Sequence, residues 1–362
     1  MKVPFVNWKL HYSKYKDEVD KAIQDTLTRG DLIQRQDHNI FEKNFAEYIG
    51  TRYARGLNSG TDALYLSLWA SGIRRGDEVI TVSHTFIATI AAICQIGATP
   101  VLIDVKENYL MDTSKIEEAI SEKTKAIIPV HYNGRMCDME TIEKIADKYH
   151  LRIIEDACQA LGVTDKKGRK AGSIGDTGCF SFYPSKVLPC CGDGGAITTN
   201  DPVIAEKVHL LRDHGRATKT QTVCLGMNSR LDNIQAAILN VKMKYLEEYR
   251  NRKREIALAY NEGLKDVKEV ILVGDDAHEN YVIRAQNRDK LFEYLKEQEV
   301  ETQIHEPEPN HFISEVKEKA RLMDLSFTEQ LAKEVITLPM NPEMENWQVD
   351  YVIEKIKEFY KK

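Results

Sequence analysis

The chain has 362 residues, 42% hydrophobic and 29% charged, with 50 basic and 56 acidic side chains giving a formal charge of −6. At roughly 100–200 residues per domain, this length predicts about two domains, each able to bury a core without disulfide or metal staples. No apolar run of about 18 residues occurs and charges interrupt the N-terminal stretch, which argues against a membrane span or secretory signal; the acidic balance argues against a nucleic-acid protein and favours a small-metabolite partner.

In chain order, YARGL (53–57) is followed by the β-branched runs EVITV (78–82), PVLIDV (100–105), AIIPVHY (126–132), RIIEDA (152–157), CFSFY (179–183) and GAITT (195–199). Each of these runs is apolar on both faces, as strands buried in a parallel sheet are. The intervening MDTSKIEEAISEKTK (111–125) and MCDMETIEKIADKYH (136–150) repeat apolar residues at helical spacing behind Asp, Ser or Thr caps. The alternation predicts an α/β domain with a mostly parallel sheet and helices on both faces. Residues 229–263 predict one or two long amphipathic helices. Beyond them, the strands EVILV (269–273), ENYVIRA (279–285) and VETQIH (300–305) and the helices RDKLFEYLKEQE (288–299) and VDYVIEKIKEFYKK (349–362) form an α+β pattern. The expected division is a large domain over 1–240 and a small C-terminal domain over 241–362.

No strand is followed by GxGxxG and no GxxxxGK[ST] occurs, so this sheet serves a ligand other than a dinucleotide or a P-loop nucleotide. Ligands of open α/β sheets gather at the carboxyl ends of the strands, and four such ends carry chemistry. Asn58-Ser59-Gly60-Thr61 opens a helix with free amides and hydroxyls, as a phosphate needs. Glu155-Asp156-Ala157-Cys158-Gln159 puts acids at a strand terminus. Ser181-Phe182-Tyr183-Pro184-Ser185-Lys186 places a lysine ahead of the Gly-rich Gly192-Asp193-Gly194-Gly195 turn, and His84-Thr85-Phe86 offers an aromatic ring. Together they ask for a planar, phosphorylated, electrophilic cofactor: a lysine to form a Schiff base, an acid to keep a pyridine nitrogen protonated, a turn for the phosphate and a ring to stack. That cofactor is pyridoxal 5′-phosphate. The seven cysteines show no CxxC and no zinc spacing, so no metal is expected; their odd number suits a reducing cytoplasm, and Cys190-Cys191 is read as two thiols packed in a tight loop.

In these blocks the sequence resembles the DegT-type (DegT/StrS-like), fold-type-I aminotransferases of nucleotide-linked keto sugars. The resemblance runs over nearly the whole chain and is carried by NSGTDAL (58–64), GDEVIT with HTFIAT, KTKAIIPVHYNG (123–134), IEDACQALG (154–162), GSIGDTGCFSFYPSK (172–186), GDGGAITTND (192–201), NSRLDNIQAAIL (228–239) and LPMNPE (338–343). It implies a large domain built on a seven-stranded sheet, a homodimer with active sites at the subunit interface, and L-glutamate as amino donor. It makes Lys186 the Schiff-base lysine and proton carrier, Asp156 the partner of the pyridine nitrogen, Gln159 a contact of the phenolic oxygen and Phe86 the stacking ring. Gly60, Thr61 and Ser181 would hold the phosphate with Asn228 of the second subunit, while Tyr183, Lys219, Arg230 and His305 would contact the sugar nucleotide. The chain departs from the family's pattern at His305-Glu306-Pro307-Glu308, at Gly30–Gln36 and at Pro189-Cys190-Cys191, all regions that shape substrate choice. The alternatives are a sugar dehydratase, disfavoured because Lys186 stands where such branches carry histidine; an amino-acid aminotransferase, for which Arg284 and Arg288 would be the carboxylate-binding candidates; and a non-enzymatic sugar-sensing regulator, which would want a DNA-binding element.

Overall fold

The structure, a computed structural model, describes residues 2–274 and 279–361; Lys362, the last residue of the expected terminal helix, and the outer limits 1 and 362 of the expected domains lie outside the described residues. The N-terminal part runs α1 (Trp8–Arg29), α2 (Gln36–Ile49), β1 (Tyr53–Leu57), α3 (Gly60–Ala70), β2 (Glu78–Val82), α4 (Ala88–Gln95), β3 (Thr99–Ile103), α5 (Ile116–Ala119), β4 (Thr124–Ile127), α6 (Met139–Tyr149), β5 (Arg152–Asp156), β6 (Thr177–Ser181), β7 (Gly195–Thr199) and α7 (Pro202–Leu211). There follow α8 (Asn233–Met243), α9 (Leu246–Leu264), β8 (Val270–Leu272), β9 (Tyr281–Ala285), α10 (Arg288–Glu297), α11 (Ser314–Lys319), β10 (Arg321–Leu322), α12 (Ser326–Glu334), β11 (Val335–Leu338) and α13 (Asn346–Lys361).

The large sheet has the order β1-β7-β6-β5-β4-β2-β3-β10. Its first seven members are the strands expected from the sequence; β10, two residues long, joins the edge parallel to β3 and makes an eighth. β7 is antiparallel to both β1 and β6. All five of its residues are buried, so its composition matches that of its parallel neighbours. Alternate side chains enter opposite layers: Cys179 and Ile197 pack under α3 and α7, whereas Phe180 and Ala196 pack with α2 and α8. In that second layer Phe41, Phe45, Phe180 and Phe182 meet at centroid distances of 5.0–5.4 Å, mostly edge to face. Each such contact adds about 0.5–1.5 kcal/mol beyond area burial. This cluster fixes the end of β6, from which Lys186 follows.

The C-terminal strands form a separate sheet, β11-β9-β8, antiparallel throughout, packed with α9, α10 and α13 around Tyr260, Ile283, Leu291 and Ile336. Val3 lies in this core and bridges Val300, while β10 belongs to the large sheet, so short segments from each end of the chain cross the expected 240/241 division.

Three local expectations are corrected. Residues 111–125 form only one 3-10 turn and the four-residue α5, because the chain turns at Ser121, whose backbone N–H donates to Thr124 Oγ1 (2.9 Å) rather than to a helical carbonyl, and β4 begins at once. AIIPVHY ends as a strand at Ile127, ahead of Pro129, which has no N–H to give a ladder. VETQIH contributes only two isolated bridges, Val300 to Val3 and Gln303 to Thr337, and the third strand of the small sheet is VITL at 335–338. The charged N-terminal stretch forms the 22-residue α1, capped by the Asn7 side chain on Leu10 N and closed by Gly30 in the left-handed region (φ 69°).

Candidate active site

The strand ends converge on one cavity of about 1020 Å3. Lys186 enters it from a tight turn: its N–H donates to the Tyr183 carbonyl (2.9 Å), with Pro184 in the second position, where a fixed φ favours the turn. The turn is tied back by Phe182 N–H to the Gly194 carbonyl (2.8 Å) and Cys190 N–H to the Phe182 carbonyl (2.8 Å). Glycine is required at the return of this loop, since a Cβ on Gly195 would fall 2.3 Å from the Ser59 carbonyl oxygen. β7 can thereby start directly beneath the first turn of α3.

That turn is an open helix N-terminus. Ser59 caps it through Oγ, accepting from Asp62 N (3.1 Å), and Ser229 braces Asp62 by a 2.7 Å hydrogen bond. The first amides of α3, at Gly60 and Thr61, have no intrahelical acceptor, and both residues line the cavity with Ser181. Gly60 has no room for a side chain: its Cβ would lie 2.8 Å from Ser181 Cβ. The result is an anion cradle of backbone donors with a serine beside it.

Opposite in charge is Asp156, 6% exposed at the end of β5. Thr89 Oγ1 donates to its Oδ2 (2.7 Å) and is itself paired with Thr85 Oγ1 (2.8 Å); the Cys158 amide donates to Oδ1 (3.2 Å). Glu155, one residue earlier, faces the other layer. It accepts from His131 Nε2 (2.9 Å) and from the amides of Gly172, Ile174 and Gly175 (2.7–2.9 Å), a fully buried clamp on the loop entering β6. The two acids therefore divide into a cavity acid and a structural one. Gln159 Oε1 accepts from Asn133 N (3.1 Å), which leaves its amide N–H donors for a ligand oxygen. Phe86 and Tyr183, 59% and 54% exposed, border the same space as bare aromatic faces.

His305 and Glu306 form the wall contributed by the C-terminal part. His305 bonds Thr337 Oγ1 through Nδ1 (2.7 Å); burial, with Lys186 nearby, pulls its pKa down to about 4, so the ring is neutral at physiological pH. Glu306 sits in the left-handed region (φ 54°) with its carboxyl pushed up to about 7 by burial, whereas Glu308 is exposed and outside the cavity. Of the two carboxylates flanking Pro307, only the first faces the site.

Nine of the twelve residues singled out in the sequence line this cavity: Gly60, Thr61, Phe86, Asp156, Gln159, Ser181, Tyr183, Lys186 and His305. Lys219, Asn228 and Arg230 do not. They lie on the 213–230 excursion, where Asn228 bridges Asp213 and Arg230 Nη1 donates to Asp213 Oδ1 (2.7 Å). Arg284 and Arg288 are also elsewhere, buried on Glu334 and on the Val335 carbonyl. Thr89, Glu279 and Gln303 line the cavity without having been singled out; for Thr89 the signal was its place in the HTFIAT block. Cys190 is buried and Cys191 exposed, the latter held through its backbone to both ends of the Gln235 amide (2.8 and 2.9 Å). A second cavity of about 1110 Å3 opens by Arg135, Arg169 and Arg254; it holds none of the strand-end residues, and its Arg169 and Arg250 are paired with Glu143, Asp165 and Glu247.

The donor set suits a flat heterocycle that carries a phosphate, a basic ring nitrogen and a carbonyl able to react with an amine. Comparison with known proteins agrees. A profile of the DegT/DnrJ/EryC1/StrS aminotransferase family matches residues 13–357. The dTDP-3-amino-3,6-dideoxy-alpha-D-galactopyranose transaminase of Aneurinibacillus thermoaerophilus is 42% identical over 366 residues, covering 99% of each chain. Among solved structures, S. venezuelae DesV in complex with a ketimine intermediate gives a TM-score of 0.94 at 36% identity over 99% of both chains. NtdA from Bacillus subtilis with bound cofactor PMP gives 0.90 at 31% identity, covering 96% of this chain and 82% of that one.

Proposed function

The chain belongs to the DegT/DnrJ/EryC1/StrS aminotransferase family, and we propose that it exchanges the carbonyl of a nucleotide-linked keto sugar for an amine at C3, drawing the nitrogen from L-glutamate. The observation that carries this reading is the meeting, in one cavity, of Lys186, Asp156, the exposed Phe86 ring and the open N-terminus of α3. Position C3 rests on the name of the A. thermoaerophilus relative.

The residues fit pyridoxal 5′-phosphate. When bound, that cofactor supplies a carbonyl to hold an amino group and a protonated ring to draw electrons from the adjacent carbon. The Gly60 and Thr61 amides and the Ser181 hydroxyl bind the phosphate in the cradle described. Asp156 keeps a proton on the ring nitrogen, and its two hydrogen bonds, from Thr89 and Cys158, hold the carboxylate in place for that task. Gln159 donates to the phenolic oxygen and Phe86 covers a ring face, excluding water. Lys186 Nζ provides the covalent attachment and, once free, holds and moves the proton at the carbon that gains the amine. Tyr183 and neutral His305 border the space left for the sugar nucleotide.

The active form in this reading is a homodimer, in which Asn228, Lys219 and Arg230 of one protomer complete the phosphate and nucleotide sites of its partner. Their absence from the chain's own cavity supports this, as do the exposed Val223 and Leu225 on the same excursion. The expected division into a cofactor domain over 1–240 and a smaller domain over 241–362 belongs to the same proposal, with the two separate sheets as its support. No helix among the described residues is long and apolar enough to cross a membrane. All seven cysteines are free, which supports placement in the reducing cytoplasm.

Turnover with 15N-labelled glutamate tests donor and position together. The account expects one 2-oxoglutarate per product and the label on C3 of the sugar by NMR; label arriving only from another amino acid, or residing on C4, contradicts it.

A further inference from the structure

Lys186 has a neighbour that no role above uses. Glu279, just before β9, is buried, with its side chain 4% exposed, and its Oε1 lies 4.0 Å from Lys186 Nζ. Lys253, on α9, is buried behind it and donates from Nζ to the Glu279 backbone carbonyl (2.7 Å), so the segment carrying the acid is anchored from below. Lys186, Glu279 and Lys253 share a narrow space of about 40 Å3 together with Glu343 and Tyr249. Among the described residues, Lys186 is the one cation within 4.0 Å of the Glu279 carboxylate. A carboxylate buried between two lysines, with Lys186 Nζ at 4.0 Å and Lys253 behind, is held there at a desolvation cost that charged partners offset.

We propose that Glu279 is a positioning residue for Lys186: its carboxylate steadies positive charge on Nζ and so sets the pH at which the lysine–cofactor link gains and loses its proton. The proposal rests on the function given above and adds to it a control on the proton carrier. Asp193, Glu301 and Glu306 line the same cavity, but among the described residues the ion pair of Lys186 is with Glu279. His305, from the loop after α10, is kept neutral by burial. The Cys158 thiol, after β5, is pushed up by burial and stays protonated. Lys253, whose pKa burial lowers with Glu279 opposing and Lys186 adding to the shift, acts on Lys186 in the opposite sense from Glu279. Asp156 lines the same cavity but is engaged by Thr89 and the Cys158 amide. Glu343 is paired with His11 (2.8 Å).

The sign follows directly. A nearby negative charge favours the protonated link, so the wild-type midpoint is raised by Glu279, and removing that charge lowers it. The test is a pH titration of the visible absorbance of the cofactor-loaded protein, without substrate. Glu279→Gln should move the midpoint down by about one pH unit, and the acidic limb of the kcat profile should move the same way. Glu279→Asp, which keeps the charge and guards against a folding defect in the first variant, should stay closer to wild type than the Gln protein. Identical midpoints in wild type and Glu279→Gln, or an Asp variant displaced as far as the Gln one, would overturn the proposal. Absence of any lysine-linked band from the loaded wild-type protein would instead overturn the cofactor reading beneath it, and this proposal with it.

Discussion

Replacing Lys186 by alanine abolishes the visible absorbance of the lysine-linked cofactor and lowers turnover by at least about 10³–10⁴, the scale of a lost acid–base group together with a lost covalent attachment. The loss should be one of chemistry and leave the fold intact. The turn that presents Lys186 is made by its backbone N–H and by Pro184, neither of which the substitution touches, and the side chain's only ion-pair contact among the described residues is with Glu279 at 4.0 Å. The check is an absorbance spectrum of the dialysed variant beside wild type, with product formation followed over a long incubation and a thermal unfolding curve to show the fold intact. Retained absorbance with retained turnover would remove Lys186 from the mechanism.

The second large effect is expected at Asp156. Asp156→Asn keeps the shape and can still accept from the Cys158 amide through its one oxygen, while its amide nitrogen donates to Thr89 Oγ1 in place of accepting from it, so cofactor attachment through Lys186 survives. What disappears is the negative charge that, in the proposed function, holds a proton on the ring nitrogen, and with it the electron-withdrawing power of the ring. A loss of about 10²–10³ in kcat is the size associated with removing one preorganised electrostatic partner in a water-excluded site. A variant within about tenfold of wild type in kcat, with its absorbance intact, would mean that Asp156 is not that partner. The contrast with Lys186 is in the spectrum: one variant loses the lysine-linked band, the other keeps it.

The large sheet could be read from the sequence because strands buried on both faces are written as short, nearly continuous apolar runs, and every one of the seven appeared within a few residues of its place. The direction of β7 could not, since an antiparallel strand sealed on both faces has the same composition as a parallel one. β10 was hidden for another reason: two residues at a sheet edge leave no periodic signal. In the site, residues whose chemistry is local were visible, such as Lys186 after its Tyr-Pro turn and Ser59-Gly60-Thr61 at the start of α3. Residues defined by distant partners were not. Thr89 matters because it meets Asp156, 67 positions away, and Glu279 because β9 enters beside Lys186. The adjacent acids Glu155 and Asp156 illustrate the limit most plainly: alternation sends them to opposite sides of the strand, and only the fold reveals that one clamps a loop while the other lines the cavity. The two glutamates around Pro307 are a similar case: Glu306, itself in the left-handed region, lines the cavity, and Glu308 does not.

The most direct test of the central claim is an amine-exchange titration. The cofactor-loaded wild-type protein is charged with L-glutamate, freed of 2-oxoglutarate, and offered in turn a panel of dTDP- and UDP-linked keto sugars and a panel of small 2-keto acids, with the return of the lysine-linked absorbance as the signal. The account predicts a rapid return with at least one nucleotide-linked keto sugar and formation of the matching amino sugar. A return with 2-keto acids alone, and with no sugar in the panel, would contradict it.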